Sequence, residues 1–135
     1  VRPLPEDDGS AVPDAFKKIN LSLTSFFDLS LNIEGNMLTL TGKDGEIWYR
    51  AERGCWSKIR RKVHCSPFYT EKDSMDTPVI GAWGVKNGVL TIRVYEIEFL
   101  EEDTLTLTEA EDGIHVSFAN TTIPSNPREY VKKVI

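Results

Sequence analysis

The stretch GAWGVKNGVLTIRVYEIEF, residues 81–99, decides the fold class. Asn87-Gly88 supplies the two positive-φ positions of a type I′ turn, whose twist matches paired antiparallel strands. Beyond the turn, Leu90, Ile92 and Val94 alternate with Thr91, Arg93 and Tyr95. A period of two is the signature of a strand with one buried and one wet face. The stretch is therefore a hairpin, with acids at its far end.

The same pattern extends both ways. In SFFDLSLNIEG, Phe27, Leu29, Leu31 and Ile33 share one face, and Gly35-Asn36 marks a turn. MLTLTG points Leu38 and Leu40 inward, and KDG at 43–45 turns the chain. EIWYRAE places Ile47, Tyr49 and Ala51 together, with Trp48 opposite. TLTLTEA points Leu105 and Leu107 inward, and IHVSFAN does so with Ile114, Val116 and Phe118. Sustained helical periodicity is absent. The expectation is an all-β antiparallel meander of about seven to eight strands from residue 19 to 135. Such a meander must protect its edges, by closing into a barrel or by stacking two sheets. A barrel, closed or half-open, is favoured, with a β-sandwich as the alternative.

Residues 1–18, with three prolines in the first fourteen, read as a linker; AFKKI could add a short helical turn. Residues 63–78 read as a long irregular connection, large enough to act as a lid, and residues 120–130 as a Pro-rich exit before a short strand at VKKVI. The 135 residues suffice for one core without disulfide or metal. No apolar run is long enough for a membrane-spanning helix. The chain begins at Val1 rather than Met, the expectation being a processed form or a piece of a longer protein. Localisation is left open between cytoplasm and cell envelope.

Net charge is −5, which weighs against a general nucleic-acid binder. Its distribution is uneven. Residues 50–65 hold six bases and one acid, whereas residues 96–112 hold eight acids and no base. The basic stretch surrounds Trp56, the stacking-plus-cation composition of single-strand binders. The simpler reading is a solvated hairpin that pairs with the acidic strand ends or with a partner.

Catalytic signatures are missing. There is no Gly-x-Ser-x-Gly elbow and no Ser-x-x-Lys. His64 and His115 read as surface histidines. Cys55, His64, Cys65 and His115 lack the tight spacing of a zinc knuckle, so neither metal nor cofactor is expected. A Cys55–Cys65 disulfide across a hairpin stays open. The carboxylates Glu96, Glu98, Glu101, Glu102 and Asp103 lack calcium-loop spacing; Glu96 and Glu98 share a strand face and are the candidates for acid–base work. Trp48, Trp56, Trp83 and Tyr95 are either outward interface aromatics or core.

The order of these pieces resembles the C-terminal β-domain of beta-lactamase-family serine hydrolases, the penicillin-binding-protein-like class C group. The likeness rests on NLSLTSFFDLSL, on YRAERGCW, on Gly81-Ala82-Trp83 and on Tyr95, Glu96 and Phe99, and covers residues 20–120. It implies a lipocalin-like, non-catalytic bacterial module, downstream of a hydrolase domain that owns the nucleophile. Its partner would be the catalytic domain of the same parent chain. Trp56, Trp83, Arg93, Tyr95 and Glu96 are then the candidate contacts. The rivals are a stand-alone small-ligand module and a carboxylate enzyme.

Overall fold

The computed structural model describes residues 3–24, 27–42, 45–64, 74–96, 101–120 and 128–132. A single 3-10 turn, Asp14–Phe16, precedes ten strands: β1 (Lys18–Thr24), β2 (Phe27–Glu34), β3 (Met37–Gly42), β4 (Ile47–Glu52), β5 (Ser57–His64), β6 (Ser74–Lys86), β7 (Val89–Glu96), β8 (Glu101–Ala110), β9 (Gly113–Asn120) and β10 (Arg128–Lys132). The all-β antiparallel expectation stands. The strand count rises because Lys18–Thr24 is a strand of its own and because the basic stretch 57–64 is extended.

Each strand pairs with its successor except at one place. The strands form one sheet in the order β1-β2-β3-β4 and another in the order β10-β9-β8-β7-β6-β5. Among the described residues the ladder therefore does not close into a barrel, and the sandwich-like alternative describes the molecule. The break has a local cause. After the Met37↔Glu52 pair, Arg53 leaves the β3–β4 ladder and forms an isolated parallel bridge to Trp83 of β6. Gly54, at φ 72°, donates its N–H to the Trp83 carbonyl at 2.9 Å. The chain is thus handed to the second sheet before β5 begins.

The inner faces share one core. Leu21, Leu31, Leu38, Leu40 and Tyr49 of the first sheet meet Trp83, Leu90, Ile92, Leu105 and Leu107 of the second in a single buried cluster. Burying each such side chain stabilises the fold by about 1.5–3 kcal/mol relative to leaving it in water. The alternation expected for β7 holds: Leu90, Ile92 and Val94 are buried, while Thr91, Arg93 and Tyr95 are half-exposed. The 87–88 turn has φ 52° and 78°, the two left-handed positions expected of it.

β4 departs from simple alternation. Leu40 pairs with Tyr49 but Thr41 pairs with Ile47, so Trp48 is an extra residue in the strand. The shift turns Ile47 outward, where it is 46% exposed, instead of placing it beside Tyr49 and Ala51. Trp48 lies over Gly42, where a Cβ would come within 2.4 Å of its indole nitrogen.

The irregular connection expected over 63–78 is shorter than read. Val63 and His64 end β5, and Ser74 to Pro78 begin β6, paired with His64 to Arg60. Residues 65–73 lie outside the described residues, as do Glu98 and Phe99. Pro78 pairs with Arg60 of β5. The final strand begins at Arg128, earlier than VKKVI.

Residues 3–17 contain no strand and pack on the domain. β5 covers β6 only as far as Ser57↔Gly81, leaving the backbone of Trp83 and Val85 to find other partners. Gly54 takes the first, and Asp8 donates its N–H to the Val85 carbonyl at 2.9 Å. Gly84 permits this approach: a Cβ there would lie 2.6 Å from the Glu6 carbonyl oxygen.

Candidate functional site

Three groups of polar side chains surround the strand ends of the hairpin that opened the sequence reading. The first is on the outer face. Arg93 of β7 donates from Nε to Glu102 Oε1 at 2.6 Å and from Nη1 to the Pro3 carbonyl at 2.9 Å. Glu102 of β8 is 5% exposed and faces Tyr95 in the register, so Arg93 reaches it diagonally. Arg93 therefore joins two strands and the N-terminal segment.

The second group lies on the inner face. The buried stripe Leu90, Ile92, Val94 continues to Glu96, and the stripe Leu107, Leu105 continues to Asp103. Glu96 is 5% exposed and Asp103 8%. The pairs Val94↔Asp103 and Glu96↔Glu101 make Glu96 and Asp103 diagonal neighbours. Across the interior, the Tyr49 hydroxyl of β4 donates to Asp103 Oδ2. A buried hydrogen bond thus joins the two sheets at the polar end of an apolar core.

The third group fastens the N-terminal segment. Asp7 accepts from Arg53 Nη2 at 2.8 Å and Nε at 3.1 Å, and from the Gly9 N–H at 3.0 Å. Arg53 also donates to the Ser10 carbonyl at 2.6 Å and lies over the Trp83 ring, 5.6 Å from its centroid. The Arg53 hydrogen bonds hold the Asp7 carboxyl below its ordinary range, against partial desolvation, and Asp7 in turn raises Arg53. Asp8 is lowered to about 2, first by the Ser10 hydroxyl and then by the Asn87 N–H. Lys86 adds an exposed ion pair to Glu6 at 3.6 Å.

The candidates from the sequence distribute unevenly. Trp83 is 0% exposed and donates from Nε1 to the Ala51 carbonyl at 2.9 Å, so it is core and offers no surface to a partner. Glu96 is likewise inside. Arg93 and Tyr95 are on the outer face, half-buried, and Trp56 is half-buried between the Gly54 turn and β5. From the sequence, Glu102 and Asp103 are only members of an acidic ladder, and no site role falls to Tyr49, Asp7 or Arg53. The signal for Asp103 was available: extending the inward parity of Leu105 and Leu107 back by two reaches it. Asp7 and Arg53 stand 46 residues apart, and no local pattern joins them.

The thiol and imidazole candidates separate. The Cys55 thiol donates to Glu52 Oε2 at 3.1 Å, which raises its pKa. Cys55 is a free, exposed thiol, and the question of its pairing with Cys65 falls on a residue outside the described residues. His115 is paired with Asp112 at 2.7 Å, which lowers the Asp112 carboxyl. Among the described residues, no three His, Cys, Asp or Glu side chains gather as metal ligands, and no helix is long and apolar enough to cross a membrane.

Comparison of the chain with protein-family models, with curated proteins and with solved structures returned no match.

Proposed function

We propose that this chain is a non-catalytic accessory domain of a beta-lactamase-like serine hydrolase, packing on the catalytic domain of the same parent and shaping access to it. The observation that carries the reading is the fastening of residues 3–10. They run from Arg93 on the outer face, over Gly84, to the edge of β6, held by the Asp7–Arg53 pair. A domain joined upstream would meet a fixed side of the six-stranded sheet, beside Arg93, Tyr95 and Glu102, rather than swing on a free linker. The lack of Ser-x-x-Lys and of a Gly-x-Ser-x-Gly elbow supports a module that shapes a site without owning one.

The test is the mass of the native protein in its source cells, detected with an antibody to this domain, together with hydrolysis of a chromogenic beta-lactam or ester. The reading expects a species of several domain lengths and an inactive isolated chain. A species near 15.3 kDa, or hydrolysis by the isolated chain, overturns it.

A second reading, a small-ligand module, is favoured by one observation. Glu96, Asp103 and Tyr49 place a few polar groups at one end of an apolar interior, the composition of ligand sites in general. A stand-alone 15.3 kDa species would move this reading ahead.

A further inference from the structure

The N-terminal segment is latched to the turn that closes the β6–β7 hairpin. Asp8 Oδ2 accepts the Asn87 N–H at 3.0 Å, and the Asp8 N–H reaches the Val85 carbonyl at 2.9 Å. The Ser10 N–H donates to the other carboxylate oxygen, Asp8 Oδ1, at 3.0 Å. Beside them Glu6 pairs with Lys86 at 3.6 Å. The latch therefore depends on where the tight turn holds the backbone N–H of residue 87.

Asn87-Gly88 is the one Asn-Gly step in the 135 residues. An asparagine side-chain amide carbon lies within reach of the next residue's backbone nitrogen, and glycine, with no Cβ, leaves that nitrogen uncrowded. Lys86, Asn87 and Gly88 are exposed, and a Cβ built on Gly88 would meet nothing within 4 Å. The most reactive amide step of the chain thus stands in solvent on the residue that carries the latch.

We propose that Asn87 is a deamidation site whose conversion unlatches Asp8 from the hairpin. The Gly88 nitrogen loses its proton to solvent base and attacks Cγ of Asn87. The bond from Cγ to the side-chain nitrogen breaks, and that nitrogen takes up a proton and leaves as ammonia. Water then opens the cyclic imide, with no change of oxidation state. Opening at the bond between Cγ and the Gly88 nitrogen gives aspartate on an ordinary backbone. Opening at the main-chain carbonyl gives isoaspartate, whose backbone is longer by a carbon. Either product sets a new carboxylate on the residue whose N–H the ionised Asp8 accepts, and like charges so near repel. Isoaspartate also lengthens a turn whose two-residue loop sets the pairing of Lys86 with Val89. The Asp7–Arg53 pair is left in place, so the change is read at Asp8. This inference rests on neither reading of the function.

The experiment ages the full 135-residue chain in warm, mildly alkaline buffer, follows residue 87 by peptide mapping and reads amide exchange by nuclear magnetic resonance. Asn87 is expected to convert to aspartate and isoaspartate. An Asn87 that survives while a short Asn-Gly peptide in the same tube has reacted overturns the proposal. In the converted chain, separated by charge, the Asp8 and Ser10 amides are expected to exchange at least about tenfold faster. The Gly54 amide, which donates to the Trp83 carbonyl, is expected to keep its rate. Unchanged exchange at Asp8 overturns the proposal, and so does equal acceleration at Gly54, the whole domain having then loosened. Asn87→Gly keeps the backbone N–H and a turn-compatible residue but has no side-chain amide. Aged in parallel, it is expected to keep slow exchange at Asp8. Loosening of this variant on ageing would place the cause at another residue and overturn the assignment.

Discussion

Asp103 is a carboxylate that continues an apolar stripe, and its partner arrives from the other sheet. Burial of a polar group costs free energy unless it is hydrogen-bonded, and the Tyr49 hydroxyl donates such a bond. Tyr49→Phe removes the donor and leaves the carboxylate behind, so a loss of about 1–3 kcal/mol is expected from urea unfolding. Replacing both partners, as Tyr49→Phe/Asp103→Leu, is expected to cost less than the two single losses added. Strict additivity in that cycle would show that the two groups do not interact. Trp83 teaches a related lesson. Its indole N–H finds the Ala51 carbonyl, so a residue that reads as either surface or core is seated by one polar contact.

At the scale of elements, the N-terminal segment behaves as a substitute strand partner. It satisfies the edge of β6 where β5 stops, and its grip depends on ionised Asp7 and Asp8. Both carboxyls have folded pKa values below the ordinary 3.8, Asp8 at about 2. A depressed folded pKa contributes stability that is present above the unfolded value and lost as pH falls through the folded one. The attachment is therefore expected to weaken between about pH 4 and pH 2, with Arg53, the Ser10 hydroxyl and the backbone amides of Gly9, Ser10, Val85 and Asn87 as the groups facing the acids. The urea midpoint of the unaltered chain should fall more steeply over that range than that of Asp7→Asn/Asp8→Asn. Parallel profiles would contradict the assignment. β4 shows the other way an element escapes a local rule. The extra residue at Trp48 turns Ile47 to the outside, and only the pairing with β3 reveals it.

At the scale of the whole molecule, the ten strands among the described residues run up and down in sequence order with one interruption, yet both sheets bury their inner faces in the same cluster. Neither sheet has a core of its own, so the domain is expected to unfold in one transition. Far-ultraviolet dichroism and tryptophan fluorescence should give coincident denaturant curves. Two separated midpoints would mean that the four-stranded and six-stranded sheets are independent units.

The amino-acid sequence by itself determined most of the strands, most of their inward faces and the turns at 35–36 and 87–88, because alternation and left-handed glycine positions are written in residues one or two apart. It could not place the Trp48 bulge, which depends on what lies opposite, nor the extended state of residues 57–64, whose cations mask the period of two. It also favoured a barrel, where the described strands form two sheets that do not close. Tertiary structure decided those points, through contacts between residues far apart in the chain: Arg53 with Trp83, Tyr49 with Asp103, Asp7 with Arg53. Local periodicity reports which way a side chain faces. Only the closing of the chain on itself decides what it meets there.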